Sequence, residues 1–461
     1  MKIELGAELK IQEPTTPVIN WIINNLTLPN PEYAKKQRMG FWTGNTPKVI
    51  TLYKANDDGF TIPFGCLREL LPILDGADSK TLFKKLKKVE YKGSVPLYDY
   101  QEDAVGAMLI ARYGILQSPP GSGKTQMGIA LAGMLGVKTL WITHTADLLK
   151  QSMERAARYF DPSGFGMITE GKVEVGKTMT FATVQTLSNA DLLSLRDEWD
   201  CIIVDECHRV AGTPTAMTMF SKVLNNLAAR HKYGLSATVH RADGMIKATY
   251  AMLGQVMYTV PEEAVADKIM KVRIEPRCTD FRMSRDFLDT DGTVIYAKMI
   301  TCLGEDKLRN DLILYDLIVN QNHSNLILSD RLDHLMRLMD MLPEDIQDRA
   351  VFINGKMTSK KGRAEREQAL EDMRNGKKRY LFATYSLAKE GLDIPRLDRL
   401  YLTTPQKDYA IVTQSIGRIA RTCEGKEDPI AYDYVDPMTN TVKAFKKRCT
   451  TYRKLGCEIG E

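Results

Sequence analysis

The run Ser118-Pro119-Pro120-Gly121-Ser122-Gly123-Lys124-Thr125 sets two glycines, a lysine and a hydroxyl in the order that phosphate chemistry needs. Glycines let successive backbone N–H groups curl around an oxyanion, and the positive end of a following helix adds to the attraction. Lys124 is placed to reach the β and γ phosphates of a nucleotide, and the Thr125 hydroxyl to hold Mg²⁺. Ser118 stands where such loops usually carry their first glycine. Apolar Ile115-Leu116 precedes the run and a helical stretch from Gln126 to Leu135 follows it, which is the strand–loop–helix setting this chemistry requires.

Further along, apolar Cys201-Ile202-Ile203-Val204 ends in Asp205-Glu206-Cys207-His208. A strand that delivers Asp205 to the same sheet edge as the loop supplies a second contact to Mg²⁺, and the neighbouring Glu206 can polarise an attacking water. An acidic pair at a strand end is often only a helix cap. Following a phosphate loop, it reads as catalytic.

Both segments need a scaffold, and from Leu97 the pattern supplies one. Short apolar runs alternate with helical stretches at Ile115-Leu116, Thr139 to Ile142, Thr178 to Ala182, Cys201 to Val204 and Tyr233 to Leu235. The rhythm returns at Asn325 to Leu328, Ala350 to Ile353, Tyr380 to Ala383, Leu400 to Leu402 and Ile430 to Tyr434. Strands buried on both faces with helical crossovers predict parallel sheets, so two α/β units follow each other. The stretch from Met257 to Ala266, with Pro261-Glu262-Glu263, is the best boundary between them. The first block is different: alternation over Lys48 to Lys54 and Phe60 to Phe64 around Asp57-Asp58-Gly59 reads as short strands about a turn.

With 461 residues, 44% apolar and 26% charged, the chain is long enough for several cores and too apolar to be disordered. No stretch nears 18 uncharged apolar residues, which argues against a membrane helix. The start Met1-Lys2-Ile3-Glu4-Leu5 does not read as a secretory signal, so a cytoplasmic location is expected. Eight cysteines form no C-x-x-C pair, and reduced, buried thiols are expected rather than zinc. A net charge of +5 does not by itself specify a nucleic-acid partner. Its distribution is more telling: Lys84-Lys85-Leu86-Lys87-Lys88 with Tyr91-Lys92, and a basic tail from Lys443 through Arg448 to Lys454, interleave positive charge with aromatics. The tail reads either as the outer face of a closing helix or as a strand contact.

These residues together resemble the DExH-box helicases of superfamily 2, and the XPB-like and UvsW-like DNA branches in particular. Asp205-Glu206-Cys207-His208 looks like the DExH box, and Leu97 to Gln101 is similar to the adenine-reading segment with Gln101 as its amide. Thr139 to Gln151 resembles motif Ia, Ala182 to Leu187 motif Ib, and Ser236-Ala237-Thr238 motif III. Val239-His240-Arg241-Ala242-Asp243-Gly244 follows as in the DNA branches. Ala383-Thr384 with Lys389-Glu390-Gly391-Leu392-Asp393 resembles motif V, and Gln414 to Arg421 motif VI. Two departures are small: Cys207 in place of alanine, and Val239 in place of proline.

The resemblance implies a small N-terminal α+β domain (1–96) before two tandem RecA-like parallel-sheet domains (97–265 and 266–461). It implies ATP and Mg²⁺ as cofactors, with Lys124, Asp205, Glu206, Gln414, Arg418 and Arg421 catalytic. Nucleotide contacts would come from Gln101, Ser118, Pro119, Pro120, Gly121, Ser122, Gly123, Lys124, Thr125, Gly391 and Asp393, and metal contacts from Thr125 and Asp205. Arg418 and Arg421 lie three apart, so one helix face would offer both to the charge developing on the γ-phosphoryl group. The implied activity is ATP-driven unwinding or remodelling of forks and Holliday junctions by a phage-type monomer, acting on single-stranded and branched DNA. Duplex translocation without strand separation and RNA unwinding are the alternatives. Thr143, Thr183, Ser188 and Thr384 are candidate backbone contacts, and Phe287 to Tyr296 reads as an Asp-Gly hairpin that could serve as a separating pin. Trp21, Trp42 and Tyr53 with Lys35, Lys36, Arg38 and Lys48 would suit a domain that grips duplex arms.

Overall fold

A computed structural model describes every residue except 85–87, 212–213, 240–243, 267–268, 283, 358, 390–391 and 461. Lys85, Leu86 and Lys87 of the basic run, His240 to Asp243, Glu390 and the expected nucleotide contact Gly391 therefore lie outside the described residues. The chain divides into two compact units: residues 1–119 with 123–261, and residues 262–461 with the loop residues 120–122.

The first unit is built on an eight-stranded sheet. Its order is Lys172–Glu174, Gly166–Thr169, Met179–Thr183, Thr139–Thr143, Cys201–Asp205, His231–Ser236, Tyr113–Gln117 and Val256–Thr259. All neighbours are parallel except the Lys172–Glu174 edge. Strands such as Thr139–Thr143 and Cys201–Asp205 are buried at every position, as continuous apolar runs under helices on both faces should be. The second unit carries a seven-stranded, all-parallel sheet in the order Ala350–Phe352, Tyr380–Thr384, Asn325–Ser329, Arg399–Leu402, Ile430–Val435, Arg273–Cys278 and Glu458–Ile459. The expected pair of RecA-like sheets is present. Among the described residues no helix is long and apolar enough to cross a membrane, and all eight cysteines are free thiols.

The N-terminal block has its own five-stranded mixed sheet, ordered Lys54–Asn56, Gly59–Pro63, Glu8–Gln12, Lys2–Leu5 and Asp78–Thr81. Helix Thr16–Leu26 seals it with Val18, Ile22 and Leu26, one face at helical spacing. That core continues into the first parallel-sheet layer, since Ile3, Leu9, Ile62 and Phe64 pack with Tyr113 and Ala251. Gly65 shows how close the approach is, because a Cβ there would stand 2.4 Å from the backbone N of Gly254. Residues 1–96 thus have a sheet and a core cluster of their own, joined to the rest of the first unit through Tyr113 and Ala251.

One local expectation is corrected and one is refined. The Lys48 to Lys54 strand is interrupted, with Val49–Thr51 pairing Thr27–Pro29 and Lys54–Asn56 pairing Gly59–Pro63. The Asp-Gly hairpin expected at Phe287 to Tyr296 is present but short: Leu288 bridges Val294, Asp289 N–H donates to the Thr293 carbonyl at 2.8 Å and Ile295 N–H to the Phe287 carbonyl at 2.8 Å, and Tyr296 already opens helix Tyr296–Glu305.

Candidate active site

Three adjacent parallel strands deliver the expected chemistry to one sheet edge. In register, Asp205 stands beside Leu235, and Leu235 beside Leu116, so the carboxyl ends of Cys201–Asp205, His231–Ser236 and Tyr113–Gln117 finish together. The ends of strands in such sheets are where ligands bind. Beyond Gln117 the loop turns through Gly121 (φ 83°) and Gly123 (φ 81°), left-handed conformations that glycine adopts without strain, and helix Lys124–Leu135 begins. The loop is tied back to its neighbour strand, Ser118 N–H donating to the Ser236 carbonyl at 3.0 Å. Lys124 Nζ donates to the Ser118 carbonyl at 3.4 Å, and Thr125 follows in the first helical turn.

Gln101 is buried in the first turn of helix Asp99–Ala111, its amide oxygen accepting from Tyr98 N–H at 3.0 Å and its amide nitrogen donating to the Tyr100 hydroxyl at 3.3 Å. A Cβ on Gly123 would stand 2.4 Å from that nitrogen, so the amide lies directly against the loop. Tyr98 and Tyr100 stack beside it with ring centroids 6.0 Å apart.

The acidic pair meets the lysine electrostatically. Burial pushes the Asp205 carboxyl up to about 7, the Glu206 charge adds to that, and the Lys124 ammonium opposes both. Burial also works against ionisation of Glu206, but the His208 ring, Lys124 and Arg209 outweigh it and hold its carboxyl low. Glu206 takes a left-handed conformation (φ 50°) that turns the chain sharply at the strand end. His208 Nδ1 lies 3.0 Å from Ser236 Oγ and 3.2 Å from Glu206 Oε2. Glu206 Oε2 makes no well-aligned hydrogen bond among the described residues, but it sits within ion-pair reach of the His208 ring. The ring thus keeps Glu206 ionised, the state in which a carboxylate can accept a proton. His208 and Ser236 were not among the expected site residues; the direct sequence step from Asp205-Glu206 to His208 was the available signal.

No cluster of three or more His, Cys, Asp or Glu among the described residues could hold a metal alone. Mg²⁺ is held by carboxylate and hydroxyl oxygens and takes its remaining ligands from phosphate and water; a bound cation would offset the burial that raises Asp205 and favour its ionised form. Thr125 and Asp205 are the residues that fit.

In the second unit, Gln414 is buried on helix Tyr409–Ile419 with its amide oxygen unpartnered among the described residues. Arg418 donates through Nε to the Ala388 carbonyl at 2.9 Å and through a terminal nitrogen to Leu392 at 3.1 Å. Arg421 does not share that helix face. The helix ends at Ile419, and Arg421 lies past it, bridged to Ile269 and ion-paired with Asp393. Motifs V and VI are therefore fastened together, with Asp393 engaged by Arg421. Among expected strand contacts, Thr143, Thr183 and Ser188 are buried and bonded locally, to Thr145 O, Thr186 Oγ1 and Gln185 O respectively, which removes them from a surface role. Thr384 stays partly exposed. The basic tail is helix Thr439–Lys454; Lys443, Lys446 and Lys447 face solvent, but Arg448 is buried in a two-pronged bond to Asp433 at 2.7 and 2.8 Å.

Comparison with known proteins adds to this geometry. Residues 94–241 match the family described as type III restriction enzyme, res subunit, and residues 309–423 match the helicase conserved C-terminal domain. A protein of Acanthamoeba polyphaga mimivirus described as an ATP-dependent RNA helicase is 28% identical over 346 residues, covering 74% of this chain and 63% of its own length. A helicase of Escherichia phage T5 is 26% identical over 374 residues, covering 80% of this chain and 76% of its own. The DNA 3'-5' translocase XPB2 of Sulfurisphaera tokodaii is 24% identical over 366 residues, covering 72% and 80%. This chain thus spans just under two thirds of the mimivirus protein and more of the other two.

Proposed function

We propose that this chain, which belongs to the superfamily 2 helicases and is an ATP-hydrolysing helicase or translocase, spends ATP on remodelling branched DNA such as forks and four-way junctions. The observation that carries the reaction is the convergence of Lys124, Asp205, Glu206 and Ser236 at one sheet edge. In this reading the loop amides and Lys124 bind the phosphates, and Gln101 lies where it can read the base. Glu206 Oε2 takes the proton of the attacking water. Thr125 and Asp205 would hold Mg²⁺, which supplies charge neutralisation at the phosphates. Arg418 and Arg421 are the candidates for stabilising the charge that develops on the γ-phosphoryl group. Because Ser236 bonds both the loop and the His208 next to Glu206, a change at the nucleotide reaches the end of the strand that leads into motif III.

DNA is supported by the relative named as a DNA translocase and by an N-terminal stretch, Tyr33 to Asn56, that carries lysines and arginine and no carboxylate. RNA unwinding is the second reading, favoured by the mimivirus relative's description. ATP hydrolysis and strand displacement, compared on single strand, blunt duplex, fork, four-way junction and RNA, decide between them. The expected order puts forks and junctions first. Greater stimulation and displacement on RNA would transfer the assignment to RNA, and hydrolysis stimulated by duplex without displacement would make this a translocase.

A further inference from the structure

Of the early aromatics, Trp21 and Tyr53 pack against the N-terminal core, whereas Trp42 is 75% exposed beside Phe41 at 59% and Met39 at 53%. Large apolar side chains exposed side by side are uncommon on a protein surface without a partner. The segment is nevertheless well held. Asn30 donates from its side chain to the Pro47 carbonyl at 2.8 Å and caps helix Pro31–Arg38 by accepting from Glu32 N–H. At the other end of that helix, Phe41 N–H donates to the Lys36 carbonyl at 2.9 Å, and Lys36 Nζ donates to Thr46 Oγ1 at 2.7 Å. Beneath lies the ribbon of Thr27–Pro29 and Val49–Thr51, whose Leu28 and Ile50 pack with Met245 and Ala248 of the ATP-binding unit. The aromatics are thus presented on a fixed mount rather than on a loose loop.

The surrounding charge is mostly positive, the nearby Glu32 being paired with Lys36. No carboxylate occurs between Glu32 and Asp57, while Lys35, Arg38 and Lys48 are exposed around the aromatics. Protein–protein interfaces are depleted in lysine, whereas nucleic-acid surfaces pair lysine and arginine for phosphates with aromatics for base faces. We propose that Trp42, with Phe41 beside it, stacks on an unpaired base where DNA arms meet, and that Lys35, Arg38 and Lys48 hold the adjoining phosphates. This rests on the reading of DNA as substrate. A base face is available for stacking only where pairing is broken, so the platform distinguishes a branch or a frayed end from an intact duplex.

The test uses the full chain with Trp42→Ala and Trp42→Phe. Trp141 and Trp199 are buried, so quenching of tryptophan fluorescence by DNA reports chiefly on Trp42. A fork should quench the wild type and a relaxed, covalently closed duplex circle, which has neither ends nor unpaired bases, should not. Trp42→Ala should lose the quench and bind the fork at least about five-fold more weakly, by the usual worth of one stacked base, and Trp42→Phe should bind near normally. Unchanged fork affinity in Trp42→Ala, or equal quenching by the closed duplex circle, overturns the platform and leaves the patch to a protein partner or to backbone contact. If no DNA stimulates hydrolysis by the wild type, the DNA reading itself fails; if DNA does and Trp42→Ala equals wild type, only the platform fails.

Discussion

Lys232 is the point at which the N-terminal block and the ATP-binding unit can be weighed together. Its side chain is 1% exposed, and Nζ donates to the Ala7 carbonyl at 3.0 Å and to the Leu224 carbonyl at 2.7 Å, above the Phe64 ring. Burial lowers its pKa from 10.5 to about 7; Glu8 pulls it back up, and Arg196 pushes it further down. The folded pKa is therefore below the unfolded one. Between about 7 and 10.5 the unfolded chain holds a proton that the folded chain has released, so stability rises with pH across that window. The burden of burying the charge, on the order of 5 kcal/mol, is complete below pH 7 and gone above the unfolded value. From pH 7 to pH 9 the wild type should gain roughly 2 kcal/mol through this one group. Lys232→Met removes the titration, although it also leaves two carbonyls without a donor at about 1–3 kcal/mol each, a cost independent of pH. The slope is diagnostic, and the intercept is not. Guanidinium unfolding of both proteins at pH 7, 8 and 9 under reducing conditions measures it, and parallel stability curves would refute the reasoning.

Legibility in the sequence followed the physics of burial. Strands buried on both faces, such as Cys201–Asp205 and Tyr380–Thr384, read as continuous apolar runs and were found where expected. Arg273–Cys278 was not foreseen, because Arg273, Glu275, Pro276 and Arg277 break both the apolar run and the alternation although it pairs two strands. The phosphate loop and the acidic pair were legible because their chemistry is local in sequence. Arg421 was misplaced on a helix face because spacing assumes the helix continues, and Ala420 ends it. The hydroxyls of Thr143, Thr183 and Ser188 illustrate the general gap: residue type says that a side chain can bind phosphate, and only packing says whether it is already satisfied. The same holds for the N-terminal block, whose attachment depends on contacts such as Lys232 with Ala7 that no local pattern encodes.

Three further outcomes follow from the site and its support. Glu206→Gln should bind ATP but turn it over at least 100-fold more slowly, roughly the worth of a positioned base, whereas Lys124→Ala should weaken nucleotide binding as well; loss of binding in Glu206→Gln, measured by fluorescent-nucleotide titration, would make Glu206 structural. Arg421→Ala should cut steady-state hydrolysis by roughly 10³-fold with little change in nucleotide affinity, and an unchanged rate would confine Arg421 to its ion pair with Asp393. Deleting residues 1–96 should cost folding before it costs DNA selectivity. The deletion strips Tyr113 and Ala251 of their packing against Phe64 and Ile62, and takes Ala7 from Lys232 and Gly65 from its contact with Gly254. A chain from residue 97 should therefore unfold at a clearly lower temperature or fail to remain soluble, and a truncated chain with wild-type thermal stability and ATP turnover would show that the shared core is not needed by the motor.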